Sequence, residues 1–125
     1  SLNENIPQHI PHSSVQNGHM MQVKQFINNH LTDPELSIAA ISAANAITPR
    51  YLHKLFKSES FTVSQYILKR RLEECEKVLR DPKYTGFSIT DIGHMWGFKD
   101  AAHFGHRFKE QFVVSPGEYR KRFFV

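Results

Sequence analysis

Four side chains in the first half of the chain, Arg50, His53, Lys54 and Lys57, either form a solvated helix face or offer hydrogen-bond donors to an anionic partner such as nucleic acid. In a helix opened by the start signal Thr48-Pro49 they fall opposite Leu52, Leu55 and Phe56, so the apolar residues face a core and the cations face outward. A guanidinium matches guanine N7 and O6 through two parallel hydrogen bonds, and ammonium groups suit phosphates. Histidine offers a second chemistry. The chain holds eight, and His103 and His106 lie three apart with His94 one helix earlier, a spacing that can chelate zinc. No cysteine pair or carboxylate completes a four-ligand set, so neither a metal nor another cofactor is expected. Catalysis has still less support: no nucleophile and base pair, phosphate-cradling glycine loop or paired carboxylate emerges, and no enzyme is expected.

The elements that must position these residues read as helices throughout. Ser37 caps a short helix from Ile38 to about Ala44, with Ile38 and Ile41 inward and Ser42 small enough for close helix contact. After a tight turn, a second helix runs from Pro49 to about Lys57, giving the outline of a helix-turn-helix. The stretch from Ser88 to Glu118 spells the same outline more clearly. Ser88 and Asp91 form a capping pair, Ile89, Ile92 and Trp96 fall at helical spacing, and Gly97 can end the helix in the left-handed conformation. Asp100 caps the next helix, whose register is chosen by Phe104, Phe108 and Phe112, four apart. Ser115, Pro116 and Glu118 start a last helix ending near Phe123 or Phe124. Thr48, Ser88, Asp100 and Ser115 are capping residues first, and the helix starts at Ser88 and Ser115 can also offer backbone N–H groups to phosphates.

Between the two outlines, Val63 to Arg80 reads as one longer helix with Tyr66, Ile67, Leu72, Cys75 and Leu79 as its apolar stripe, roughly 27 Å long and acting as a spacer. Ahead of the first outline, Met20 to Leu31 has Met21, Val23 or Lys24, Phe26, Ile27 and Leu31 at amphipathic spacing, ended by Thr32-Asp33-Pro34. Ser1 to about Gly18, with Pro7 and Pro11 among polar residues, reads as a linker or tail. The expected architecture is all-α: about seven helices in two helix-turn-helix subdomains, 19–62 and 81–125, joined by a linker helix at 63–80 and preceded by a flexible segment at 1–18.

Charge is unevenly spread. The net charge of +4 is mild, but residues 1–47 hold one lysine, Lys24, against Glu4, Asp33 and Glu35. Residues 48–80 hold Arg50, Lys54, Lys57, Lys69, Arg70, Arg71, Lys77 and Arg80 against Glu59, Glu73, Glu74 and Glu76. Lys69, Arg70 and Arg71 precede three glutamates at helical spacing and read as a solvated or salt-bridged face. Cys75 is the single cysteine, so a disulfide within the chain is impossible and a reducing, cytoplasmic setting is expected. No apolar run approaches the roughly 20 residues needed to span a bilayer.

The stretches LSIAAISAANAITPRYLHKLFK, YILKRRLEECEKVLRDP and SITDIGHMWGFKDAAHFGHRFKEQFVVSPGEYRKRF together resemble the DNA-binding domain of AraC/XylS-type bacterial transcription regulators, over about Leu36 to Phe123. The succession of GF, HF with RFK, and SPGEYR is specific to that family. Four positions depart from its usual pattern: Ala46, Phe61 and Val113 stand where glycine is common, and Gly93 where alanine is. A non-glycine residue in a left-handed turn costs roughly 1 kcal/mol. The resemblance implies sequence-specific binding of double-stranded DNA at an asymmetric promoter site, most often for activation. Numbered in chain order from the Met20 helix, helix 3, which begins at Pro49, and helix 6, which follows Asp100, would read two successive major grooves. On helix 3 it assigns Arg50, His53 and Lys54 to bases or flanking phosphates, with Lys57 beside them, and on helix 6 Ala101, Ala102, His103, Gly105 and His106. The alanines could touch thymine methyls and the histidines donate to bases or phosphates, so helix 3 should dominate base readout. It further implies contact with RNA polymerase, a place at the bacterial nucleoid, and an effector domain joined ahead of residue 1, this chain being the C-terminal part of a longer regulator. The competing reading is a helical protein-interaction domain whose basic face meets an acidic partner.

Overall fold

Every α-helix after the first starts where the sequence supplies a side-chain oxygen for the otherwise free N–H groups of a first turn. A computed structural model, which describes residues 12–124, holds seven α-helices and no strand among them. They are α1 His12–Asn29, α2 Ile38–Ala44, α3 Pro49–Leu55, α4 Val63–Leu79, α5 Ile89–Met95, α6 Ala101–Phe112 and α7 Pro116–Lys121. Single 3₁₀ turns follow α3 at Phe56–Ser58 and α4 at Pro82–Tyr84. Ser37, Thr48, Asp100 and Ser115 each accept a first-turn N–H. Thr62 with Gln65, and Ser88 with Asp91, form full capping boxes in which the two residues satisfy each other's backbone.

Two differences from the sequence reading concern α1. It begins at His12, so residues 12–18 are helical rather than part of a tail, while residues 1–11 of that expected tail lie outside the described residues. Its buried stripe is Met20, Val23 and Ile27, continued by Leu31 just past its end, whereas Met21 is 73% exposed. Either methionine fits the periodicity loosely; the one 100° further round the helix from the Val23–Ile27 row is the one left in solvent.

The helices bury two adjoining cores. The first gathers Val23, Ile27, Leu31, Ile41, Leu52, Leu55 and Phe56, and the second Ile92, Phe98, Phe104 and Phe108. Helix α4 belongs to both. Val63, Tyr66 and Ile67 of its first half lie in the first core, and Leu72, Cys75, Val78 and Leu79 of its second half in the second. At 17 residues it spans about 25 Å, but it is a shared wall and not only a spacer. Trp96 packs against both cores, and buried Ser42 permits the close approach expected of it.

Polar ties fix the connections. Arg71 Nε donates to Leu31 O at 2.9 Å and its Nη2 to Asp33 O at 2.7 Å, pinning the α1–α2 connection onto α4. This departs from the solvated or salt-bridged role expected for Arg71. Lys69 and Arg70 behave as expected, Lys69 pairing with Glu73 at 3.2 Å and Arg70 with Glu73 and Glu74 at 2.9 Å each. On the far side, Tyr119 Oη donates to Glu76 at 2.9 Å and Arg120 Nη1 to Phe87 O at 2.6 Å, so α7 is held to α4 and to the loop before α5. Cys75 is fully buried, and that burial pushes its thiol well above the usual range, leaving it inert.

Candidate nucleic-acid interface

The outward face of α3 follows from its buried one. Leu52 and Leu55 are committed to the core, which turns Arg50, His53 and Lys54 to solvent. The α-helix stops at Leu55, so Lys57 sits on the 3₁₀ turn that continues it and not on the helix itself, yet it stays on the same strip. Together with Thr48 and Tyr51 the four line one open groove. Among the described residues none of the four side chains has a hydrogen-bond or ion-pair partner. Three permanent cations within about two turns of α3 and its 3₁₀ extension, with no carboxylate answering them, make a local positive field that favours a polyanion.

Tyr51 brings in a residue that the sequence did not suggest. His19 Nδ1 lies 2.5 Å from Tyr51 Oη, with the two rings edge to face at 5.4 Å. The contact ties α1 to α3 immediately beside Arg50. With the partners 32 residues apart in sequence, no local pattern could have announced it.

Helix α6 presents a different surface. Asp100 Oδ1 accepts from Ala102 N at 2.7 Å and His103 N at 3.2 Å, fixing the first turn. Phe104 and Phe108 are wholly buried, which leaves Ala101, Ala102 and His106 exposed, with Gly105 partly so, on one strip. A Cβ added at Gly105 would meet nothing within 4 Å. His103 is exposed as well but lies off that strip. Its ring is 6.0 Å from that of Phe98, on the side facing α4. His106 Nε2 stands 3.6 Å from Glu110 Oε1, and Arg107 Nη1 donates to the same oxygen at 2.9 Å. The strip is therefore small, mostly apolar and partly neutralised. No group of three metal-ligating side chains forms among the described residues.

Residues 41–122 match the family described as a helix-turn-helix domain. Over 102 residues the chain is 33% identical to the transcriptional activator NphR of Rhodococcus, covering 82% of this chain and 30% of that protein. The chain belongs to the AraC/XylS family. It spans less than a third of the length of NphR. Among solved structures, the C-terminal domain of the response regulator AraT of Geobacillus stearothermophilus has the same fold, with a TM-score of 0.77 at 23% identity over 86% of this chain and 87% of that one. So does the DNA-binding domain of the transcriptional factor AdpA, solved in complex with a target DNA, with a TM-score of 0.72 at 16% identity over 82% and 89% of the two chains.

Where this chain departs from the AraC/XylS pattern, the backbone gives the reason or records the strain. Ala46 has φ 54° and Val113 φ 77°, so both occupy the left-handed region in which glycine is favoured. Val113, β-branched, bears the greater strain. Phe61 takes no such conformation; its ring stacks on Tyr66 at 5.5 Å. Gly93, where alanine is common, lies under Phe104, and a Cβ there would come within 2.7 Å of the Phe104 ring. Only a residue without a side chain lets α5 and α6 approach this closely.

Proposed function

We propose that this chain is the DNA-binding module of a bacterial transcription activator, reading double-stranded DNA with α3 and α6 laid in successive major grooves on one face of the duplex. Membership of the AraC/XylS family supports DNA binding and regulation. The observation that carries the assignment of the interface is the unpartnered strip of Arg50, His53, Lys54 and Lys57 on α3. A linker of about 25 Å sharing both cores suits two reading helices whose targets recur every 34 Å or so along B-DNA. One chain then reads two half-sites, and because the two strips differ in chemistry the site is asymmetric.

Within this reading Arg50 takes guanine through N7 and O6, His53 and Lys54 reach neighbouring bases or phosphates, and Lys57 takes a phosphate. Ala101, Ala102 and Gly105 contact thymine methyls or admit the backbone closely, while His106 donates at the edge and His103, off the strip, takes no part, so the second groove is read more by DNA shape than by hydrogen bonds. The module acts by binding rather than catalysis, at the nucleoid in the bacterial cytoplasm. In the full-length regulator it works beside an effector domain and contacts RNA polymerase. No described helix is long and apolar enough to cross a membrane.

Selection of bound duplexes from a random DNA pool tests this directly. The expected result is an asymmetric consensus with two information-rich blocks one helical turn apart, the stronger containing a guanine whose requirement disappears in Arg50→Ala. Binding that rises and falls with salt alone, without any consensus, would leave only a basic surface and sink the reading.

A further inference from the structure

The two helix-turn-helix units do not close completely against each other. Between them lies a cleft of about 420 Å³, within the size range of small-molecule sites, roughly 300 to 1,000 Å³. All three parts of the fold contribute to it: Leu36 comes from the first unit, Ile67 and Arg71 from α4, and Phe98, His103 and Arg107 from the second. Its floor is apolar, since Ile67 and Phe98 are buried and Leu36 packs against the first core.

The charge in this cleft is one-sided. Arg71 spends Nε and one Nη2 hydrogen on the carbonyls of Leu31 and Asp33, neither of them a charged acceptor, and its Nη1 has no partner among the described residues. A guanidinium carries five N–H donors, so the others remain for a ligand. Arg107 gives Nη1 to Glu110, but its Nε is buried and has no hydrogen-bond partner. Lys99, at the rim, is answered by Glu35 at 2.9 Å. The one carboxylate lining the cleft, Asp100, has an oxygen already committed to capping α6. Burial lowers the affinity of the Arg71 guanidinium for its proton, against the opposing influence of the nearby Asp33 carboxylate.

We propose that the cleft between the two units binds a small amphipathic carboxylate, its apolar body against Leu36, Ile67 and Phe98 and its anionic head between Arg71 and Arg107. A planar carboxylate matches the guanidinium fork, whereas inorganic phosphate, smaller and strongly hydrated, would leave the apolar floor wet. Such an occupant touches both units and α4 at once. It therefore stabilises one angle between α3 and α6, a consequence for DNA affinity that rests on the reading above, while the binding itself does not.

The test uses the chain without DNA, so its failure is distinguishable from failure of the DNA-binding reading. Sodium benzoate and sodium hexanoate are titrated at constant ionic strength while heat of binding and melting temperature are followed, with benzamide and inorganic phosphate as comparisons. The expected result is a saturable rise in melting temperature for the two carboxylates alone. Arg107→Met, which removes one charge-assisted contact, weakens benzoate about tenfold. Ser64→Phe, at an exposed position on the cleft wall, fills the space and abolishes binding without touching either core. Should Arg107→Met fail to fold, Ser64→Phe decides alone. No saturable response to either carboxylate, an equal response to phosphate, or benzoate binding unaffected by Ser64→Phe would each overturn the proposal.

Discussion

Residues 48–80 carry eight bases, and the fold divides them into two populations that the sequence lists side by side. On α3 and its 3₁₀ extension, Arg50, Lys54 and Lys57 point into solvent with no partner among the described residues. On α4 and at its C-cap, Lys69, Arg70, Lys77 and Arg80 are paired with Glu73, Glu74 and Glu76, and Arg71 holds two backbone carbonyls. The same residue types thus do two jobs. Those of α4 cancel their own field and, through Arg71, hold the first unit to that wall, whereas those of α3 keep theirs for something outside the molecule. A segment's net charge says little about its partner until the internal pairs are removed from the count.

The sharpest way to break this division is to take one cation from each side. Arg71→Ala should destabilise the chain by about 2 to 3 kcal/mol, since two charged hydrogen bonds to the α1–α2 connection vanish. Thermal melting would show the loss, and DNA affinity per folded molecule should hardly change. Arg50→Ala should do the opposite. Its melting temperature stays put while cognate affinity falls by about 1 to 3 kcal/mol and discrimination at one base pair relaxes. His106→Ala on α6, where the histidine already faces Glu110, should cost less than either. Equal losses for Arg50→Ala on cognate and random DNA would strip Arg50 of its reading role, and a larger loss for His106→Ala would reverse the order of the two helices.

A smaller effect separates phosphate contacts from base contacts within the free population. Lys57→Ala should weaken cognate and random DNA alike, by less than about 1 kcal/mol, and reduce the slope of log affinity against log salt by about one. Filter binding over a salt series measures both. A change in consensus, rather than in slope, would move Lys57 into the base-reading set.

Much of this was legible in the sequence because it is written locally. Capping residues, the four-residue phenylalanine spacing and the apolar stripe of α4 fix helix type and register, and the glycine-expected positions Ala46 and Val113 do carry left-handed backbone. What escaped depends on contacts between distant segments. Three consecutive cations, Lys69, Arg70 and Arg71, are equivalent until the connection at Leu31–Asp33 arrives over α4; only Arg71 then lies in the row of Val63 and Ile67, where its side chain can reach those carbonyls. His19 and Tyr51 meet because α1 crosses α3. Met20 and Met21 were interchangeable because a methionine pair at the edge of a stripe marks its register weakly.

The weakest predicted effect probes the engaged population by pH. Burial disfavours the charges of Glu73 and Glu74, but hydrogen bonds from Arg70 to both, from Lys69 to Glu73 and from Lys77 to Glu74 outweigh it and hold both carboxyls below the usual carboxylate range. A carboxylate whose folded-state pKa is depressed contributes stability that is present above its unfolded pKa, about 4.3, and disappears as pH falls through the folded value. Melting temperature should therefore be flat near neutrality and decline below about pH 4.5. The double substitution Glu73→Gln with Glu74→Gln should make that decline shallower while leaving Arg70 and Lys69 intact. It should also free the cations of α4, adding positive field next to the reading face and strengthening binding to random DNA modestly at low salt. If instead the double variant lost DNA affinity as Arg50→Ala does, the pairs on α4 would be supporting the interface itself, and the division between the two populations of cations would fail.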